Sequence, residues 1–164
     1  MTNNLFIAGT RPEIIKISPL VNELNAQVLL TGQHFKKEMI DDFLPLISPS
    51  NLINLELDEF KNFHLNRYVI SNLIKLEIQK LDVDNVFVLG DTNTTLVGAI
   101  AAKAANKKLF FVESGLRTRD LNQIEEYNRL IISHLADINF CNHQNNVENL
   151  RKELLCLNNH MIIL

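Results

Sequence analysis

Four short stretches of the sequence combine charge, glycine and capping residues at spacings that could do chemistry. The first is Gly9-Thr10-Arg11-Pro12-Glu13-Ile14-Ile15-Lys16. If a strand ends before it and a helix begins inside it, free backbone amides, Arg11 and Lys16 could all face a phosphate. Cations at a helix start oppose the macrodipole and so need a reason to be there. The plain alternative is a capped helix with two solvated cations. The second, Gly90-Asp91-Thr92-Asn93-Thr94-Thr95, delivers Asp91 from an apolar strand, either to a ligand or as a cap for the next helix. The third, from Val112 to Asp120, again ends a strand in an acid, Glu113, and then offers Gly115 for close approach of the backbone to a ligand. Two neighbouring strands each ending in a carboxylate point to a functional pair, because acid and base work commonly uses paired carboxylates. The fourth is Glu125-Glu126-Tyr127-Asn128-Arg129, where Glu125 and Arg129 share a helix face as an ordinary ion pair or a site pair. His34 and His134 are single histidines, more often structural hydrogen-bonding groups than chemical ones.

These groups need strands and helices to hold them, and short apolar runs alternate with helical patterns along the chain in the rhythm of repeated βαβ units. Strands are expected at Leu5 to Ala8, Gln27 to Leu30, Val86 to Leu89, Leu109 to Val112, Ile138 to Cys141 and Met161 to Leu164. A first helix carries Ile14, Ile17, Val21 and Leu24 on one stripe, opened by the capping-box pair Thr10 and Glu13 with Pro12 in the first turn. Further helices are expected near Lys36 to Leu44, Leu65 to Leu81, Ile124 to Ala136 and Gln144 to Leu154. Ile124, Tyr127, Ile131 and Leu135 form the stripe of the third of these. The helix after Asn93 is rich in small residues, from Gly98 to Ala105, which lets it lie close to a sheet. Leu46 to Phe63, with Pro49 and an acidic stretch, reads as a loop region over the sheet. The sum is an α/β fold, a doubly wound, mostly parallel sheet of about six strands, with ligands beyond the carboxyl ends of the strands.

Composition bounds the rest. The 164 residues fit one domain that can bury its own core, with 46% hydrophobic and 21% charged residues. A formal charge of −3 argues against a nucleic-acid binder. Cys141 and Cys156 have no CxxC spacing and no ligand-spaced histidines, so neither a metal nor a disulfide is expected. The N-terminus has no basic n-region and the chain has no long apolar run, so a cytoplasmic protein without a membrane span is expected. Neither Gly-x-Gly-x-x-Gly after the first strand nor a Gly-rich Lys-Ser/Thr loop is present, which leaves NAD and ATP chemistry unsupported.

The four groups, in this order, resemble the non-hydrolysing UDP-N-acetylglucosamine 2-epimerase family. The matching strings are Gly9-Thr10-Arg11-Pro12-Glu13, Thr31-Gly32-Gln33-His34, Gly90-Asp91-Thr92-Asn93-Thr94-Thr95-Leu96, Glu113-Ser114-Gly115-Leu116-Arg117-Thr118, and Glu125-Glu126-Tyr127-Asn128-Arg129 followed by His134-Leu135-Ala136-Asp137. Five strings in register, from Leu5 to about Cys141, are highly specific. The resemblance implies one half of a two-domain, glycosyltransferase-B-type fold, with residues 1–164 as its Rossmann-like N-terminal domain. It implies that UDP-N-acetylglucosamine and UDP-N-acetylmannosamine are interconverted by loss and re-addition of UDP, without cofactor or metal. It assigns Asp91, Glu113 and Glu125 to acid/base work or to stabilising the oxocarbenium-like state. Arg11 and Lys16 go to the UDP and diphosphate, Asn128 and Arg129 to the sugar side, and Gln33 to a second, activating UDP-N-acetylglucosamine. A homodimer through the long central helices is also implied.

The chain departs from the family pattern in places. Asn122-Gln123-Ile124 stands where an aromatic residue and a proline often precede the Glu-Glu pair, which bears on the loop that sets Glu125. Ser114 replaces a common alanine, which reads as a mild change, and Lys36 stands where a second activator contact is expected. Family enzymes continue for about another domain after the point where this chain stops. A separate chain supplying that half of the cleft, a truncated enzyme, and a binding or interaction module remain alternatives, with a glycosyltransferase acceptor domain as a weaker one.

Overall fold

The computed structural model describes residues 3–32, 46–55, 66–153 and 160–163. Its strands are β1 (Asn4–Ala8), β2 (Gln27–Leu30), β3 (Leu52–Asn54), β4 (Asn85–Leu89), β5 (Lys108–Val112), β6 (Ile138–Cys141) and β7 (His160–Ile163). Its helices are α1 (Arg11–Glu23), α2 (Arg67–Lys80), α3 (Asn93–Ala104), α4 (Ile124–Leu135) and α5 (Gln144–Glu153). The strands form one sheet in the order β3-β2-β1-β4-β5-β6-β7, and every pairing is parallel. That is the doubly wound arrangement expected, with seven strands rather than about six. The additional strand is β3, preceded by a 3-10 turn at Pro49–Asn51, inside the stretch expected to be a loop. Three half-buried or exposed residues beside a proline carry too little apolar signal to read as a strand. The expected helix near Lys36 to Leu44 lies outside the described residues.

Strand side chains alternate between two cores, as the pleat requires. On one face Leu5, Ile7, Val86, Val88, Leu109 and Phe111 meet Ile70, Ile74 and Ile78 of α2, the small residues of α3, and Ile132 of α4. On the other, Phe6, Ala8, Val28 and Leu30 meet Ile14, Ile17 and Val21 of α1. Leu24, expected on that stripe, is 44% exposed, because the helix has ended and Leu24 serves as its C-cap. The small residues of α3 act as expected: a Cβ on Gly98 would sit 3.1 Å from Ile7 Cγ2, so glycine lets the helix settle there without Ile7 having to give way. Across the second face Phe6, Phe87, Phe110 and Phe140 stack from strand to strand, with ring centroids 4.6, 4.5 and 6.1 Å apart. Asp137 works at the opposite end of the sheet from the strand-end loops. It takes Lys103 Nζ at 2.8 Å and the amide of Leu109 at 2.7 Å, tying the end of α3 to the start of β5.

Of the stripe expected on α4 only Leu135 packs against the core. Ile124, Tyr127 and Ile131 are 38%, 45% and 44% exposed, while Glu126, Asn128, Ile132 and Ser133 are buried. The buried face is polar because it meets the loops after β4 and β5, whose backbone and charges need partners. Among the described residues no helix is long and apolar enough to cross a membrane.

Candidate active site

The sheet order makes β1 and β4 neighbours although the chain leaves β1 toward β2 and β3 before returning. Such a switch point opens a crevice at the carboxyl ends of the two strands. Here it is a cleft of about 320 Å³ walled by Thr10, Pro12, Glu13 and Lys16 from the first loop and helix, and by Leu89, Gly90, Asp91 and Thr92 from the second. Glu113 and Leu116 after β5, and Arg129 of α4, close the third side.

The first loop is bound up by Glu13, which is 4% exposed. Its Oε2 accepts from the amides of Gly9 at 2.7 Å and Thr10 at 2.9 Å, and its Oε1 accepts from the hydroxyls of Thr92 at 2.7 Å and Thr95 at 3.3 Å. Of the amides expected to be open to phosphate, those of Gly9 and Thr10 are thus already taken. Anion binding at this turn falls to side chains: Lys16 on the cleft wall, and Arg11, exposed at the first position of α1. Burial pushes the Glu13 carboxyl above its ordinary value of 4.5, against hydrogen bonds from Gly9, Thr92 and Thr10 that pull it down. A carboxyl raised in the folded state contributes stability that is full below its unfolded value and is lost as pH rises through its folded value. Glu13→Gln cannot ionise, so its stability relative to the parent chain should rise between pH 4.5 and neutrality; urea unfolding of both proteins at the two pH values measures this.

The second loop settles whether Asp91 is a cap. Thr92 caps α3, its hydroxyl accepting from Thr95 N at 3.2 Å, and Asp91 turns instead to Arg129. Arg129 donates as well to Glu126 Oε2 at 3.0 Å, and Asn128 Nδ2 donates to the Asp91 carbonyl at 2.8 Å. Asn128 is 1% exposed, so it stands behind Asp91 and supports its loop. The helix partner of Arg129 is therefore Glu126, three residues earlier, and not Glu125, which is exposed in the first turn of α4. Glu126 accepts from Thr118 N at 3.1 Å, Thr118 Oγ1 at 3.2 Å and Arg119 N at 2.9 Å. Burial alone would raise its carboxyl, but the donors of Thr118, Arg119 and Arg129 together hold it below the ordinary value. Glu126 was not singled out by sequence, because its partners come from a loop whose path no local pattern describes.

The third loop puts Glu113 in the left-handed region, φ +63°, which costs a residue with a Cβ roughly 1–2 kcal/mol. Its neighbours hold it there. Ser114 N donates to Phe140 O at 2.8 Å, and Gly115, φ +84°, lies against the carbonyl of Asn146 where any Cβ would clash at 2.4 Å. Ser114 is more than a mild replacement: fully buried, it donates at 2.6 Å to Oδ1 of the equally buried Asn139. So held, both carboxylate oxygens of Glu113 meet Lys16 Nζ at 2.8 Å. The loop before Glu125 is organised by Asp120, which accepts from Asn122 N at 3.0 Å and Gln123 Nε2 at 3.2 Å. His134 bonds Leu130 O at 2.8 Å on its own helix, away from the cleft walls. Gln33, His34 and Lys36 lie outside the described residues.

The arrangement is two carboxylates, each against a cation, around a concave space at a sheet switch point. It can hold an anionic group on the cations while a carboxylate exchanges a proton with a neighbouring carbon or oxygen. Known proteins agree with the fold and add the family. A model described as UDP-N-acetylglucosamine 2-epimerase matches residues 20–161. The UDP-N-acetylglucosamine 2-epimerase of Methanococcus maripaludis is 35% identical over 153 residues, 90% of this chain. The match spans only 41% of that relative's own length. Among solved structures, the enzyme from Neisseria meningitidis bound to UDP-GlcNAc superposes with a TM-score of 0.80 at 30% identity, over 99% of this chain and 45% of that one. The epimerase from Rickettsia bellii gives 0.84 at 27% identity, over 99% and 44%. By sequence and by fold the chain belongs to the UDP-N-acetylglucosamine 2-epimerase family.

Proposed function

We propose that residues 1–164 form the N-terminal nucleotide-sugar domain of a cytoplasmic enzyme that interconverts UDP-N-acetylglucosamine and UDP-N-acetylmannosamine. The observation that carries this reading is the pairing of Asp91 with Arg129 and of Glu113 with Lys16 around one cleft. In the forward direction a carboxylate takes the proton from C2 as the C1–O bond breaks. The electron pair of that bond leaves with UDP, and a C1–C2 double bond remains. In the second half UDP oxygen returns to C1 and a proton is delivered to the other face of C2. Asp91, Glu113 and Glu125 share the proton transfers and the stabilisation of the positive charge that develops at C1. Lys16 and Arg11 take the diphosphate. Arg129 acts on the sugar side, with Asn128 acting through the Asp91 loop it supports. Gln33 is the contact to a second, activating substrate molecule. A second domain, on the same or a separate chain, supplies the facing half of the cleft.

The reading is tested by proton NMR of UDP-N-acetylglucosamine in deuterated buffer with this chain, alone and with a separately expressed C-terminal epimerase domain. Deuterium at C2 together with the manno epimer is expected, at least in the mixture. Absence of exchange in both, with the chain folded, would leave a binding module as the better account.

The same reading includes a homodimer. Tyr68, Val69 and Leu76 of α2, Ile100 of α3, and Tyr127 and Ile131 of α4 are all 40–80% exposed on the helices that cover one face of the sheet. Exposed apolar side chains on one helical layer support an interface there. Leu76→Glu is expected to convert a dimer to a monomer in sedimentation equilibrium without lowering the melting temperature of the monomer.

A further inference from the structure

The two ion pairs of the cleft differ in how firmly they are built. Arg129 is 12% exposed and divides its guanidinium between Asp91 and the buried Glu126, while Asn128 pins the Asp91 carbonyl. Lys16 and Glu113 are 50% and 29% exposed, and Lys16 is a single ammonium on a flexible stem. The Glu113 backbone is held by its neighbours, so the root of its side chain stays at the cleft whatever Lys16 does. At the same time Glu13 occupies the amides of Gly9 and Thr10, so an anion entering beside the first loop meets Lys16 rather than those amides. Lys16 is the cation of the cleft wall that can move.

We propose that Lys16 exchanges partners, leaving Glu113 for the diphosphate of the nucleotide sugar, so that diphosphate binding uncovers both oxygens of the Glu113 carboxylate. The inference rests on the nucleotide-sugar reading above and deepens it by separating the two carboxylates. Asp91 keeps its arginine throughout and acts as a fixed anion. Glu113 is covered until the diphosphate arrives and is then open to a proton from the sugar. The exchange links the binding of the leaving group to the exposure of the proton acceptor, so Glu113 is not left open when the cleft holds no diphosphate.

If Glu113 and the diphosphate compete for Lys16, removing the competitor tightens binding. Calorimetric titration of the chain with UDP should show Glu113→Gln binding about fivefold more tightly than the parent, the scale of one partly exposed ion pair. Lys16→Met should bind more weakly than the parent, and Glu113→Gln added to Lys16→Met should change nothing further. An equal gain from Glu113→Gln with and without Lys16 would mean simple relief of charge repulsion, and no gain at all would mean no competition; either overturns the exchange. Should the glutamine variant melt early, Glu113→Asn serves in its place, because asparagine tolerates the left-handed backbone. A folded parent chain that binds no UDP, even with the C-terminal epimerase domain present, overturns the nucleotide-sugar reading, and the exchange with it.

Discussion

Gly9→Ala should lower the unfolding free energy by about 3 kcal/mol, the upper end of what one surplus methyl costs in a packed interior. The added Cβ would lie 2.0 Å from Thr94 Oγ1, 2.7 Å from Thr94 Cβ and 2.7 Å from Thr31 Oγ1. Thr31 and Thr94 are fully buried and bonded to each other at 2.9 Å, so neither can step aside without breaking that bond. The site is the junction of three elements: the exit of β1, the exit of β2 and the first turn of α3. Gly90→Ala is the natural comparison. Gly90 has φ +80° and open space around its Cβ, so alanine there meets only backbone strain, about 1 kcal/mol. Urea unfolding followed by circular dichroism should show the first variant far more damaged than the second. Equal losses would mean that the loop after β1 can give way, and that the cleft wall is softer than its packing indicates.

Arg129→Met should cost a similar amount, about 3 kcal/mol, for an electrostatic reason rather than a steric one. Methionine fills much of the arginine's volume but leaves Asp91 without its cation and Glu126, 1% exposed, with only uncharged donors. Burial then weighs against an ionised Glu126 with less to oppose it. In the parent chain the lowered Glu126 carboxyl contributes stability that is present above its unfolded value and lost as pH falls through its folded value. Without Arg129 the penalty is relieved by protonation, so the deficit of the variant should shrink on acidification toward pH 4.5. Adding Glu126→Gln to Arg129→Met should recover part of the loss at neutral pH. A double-mutant cycle in urea reads both effects, and a deficit independent of pH would place the damage in packing instead.

Much of this was open to sequence because parallel strands buried on both faces read as apolar runs, and glycine, threonine and proline mark where such runs turn into helices. That is why β1, β4 and β5, and the loops carrying Asp91 and Glu113, lie where the pattern puts them. What sequence could not supply was the choice between equivalent local readings. The 3.6-residue period identified an apolar stripe on α4, yet period does not say which side packs, and Tyr127 and Ile131 face outward. Glu125 and Glu126 are indistinguishable as neighbours; only the amides of Thr118 and Arg119 decide that Glu126 is the buried one. Glu13 was visible as half of a capping box, but its second set of partners, beginning with Thr92, lies 79 residues away.

The stacked phenylalanines set a level for the whole site. Phe6, Phe87 and Phe110 occupy one row of the sheet, Phe6 directly opposite Phe87 and Phe87 opposite Phe110. Three positions beyond each of them come Gly9, Gly90 and Glu113, the first residues of the three loops that wall the cleft. At about 3.3 Å per residue all three loops therefore start about 10 Å above a common aromatic baseline. A slip of any one strand by a single residue would break the stack, turn that strand's phenylalanine to the opposite face, and raise or lower one wall by about 3.3 Å against the others. The row of rings works as a spirit level: it is far from the carboxylates, and it keeps their three supports flush.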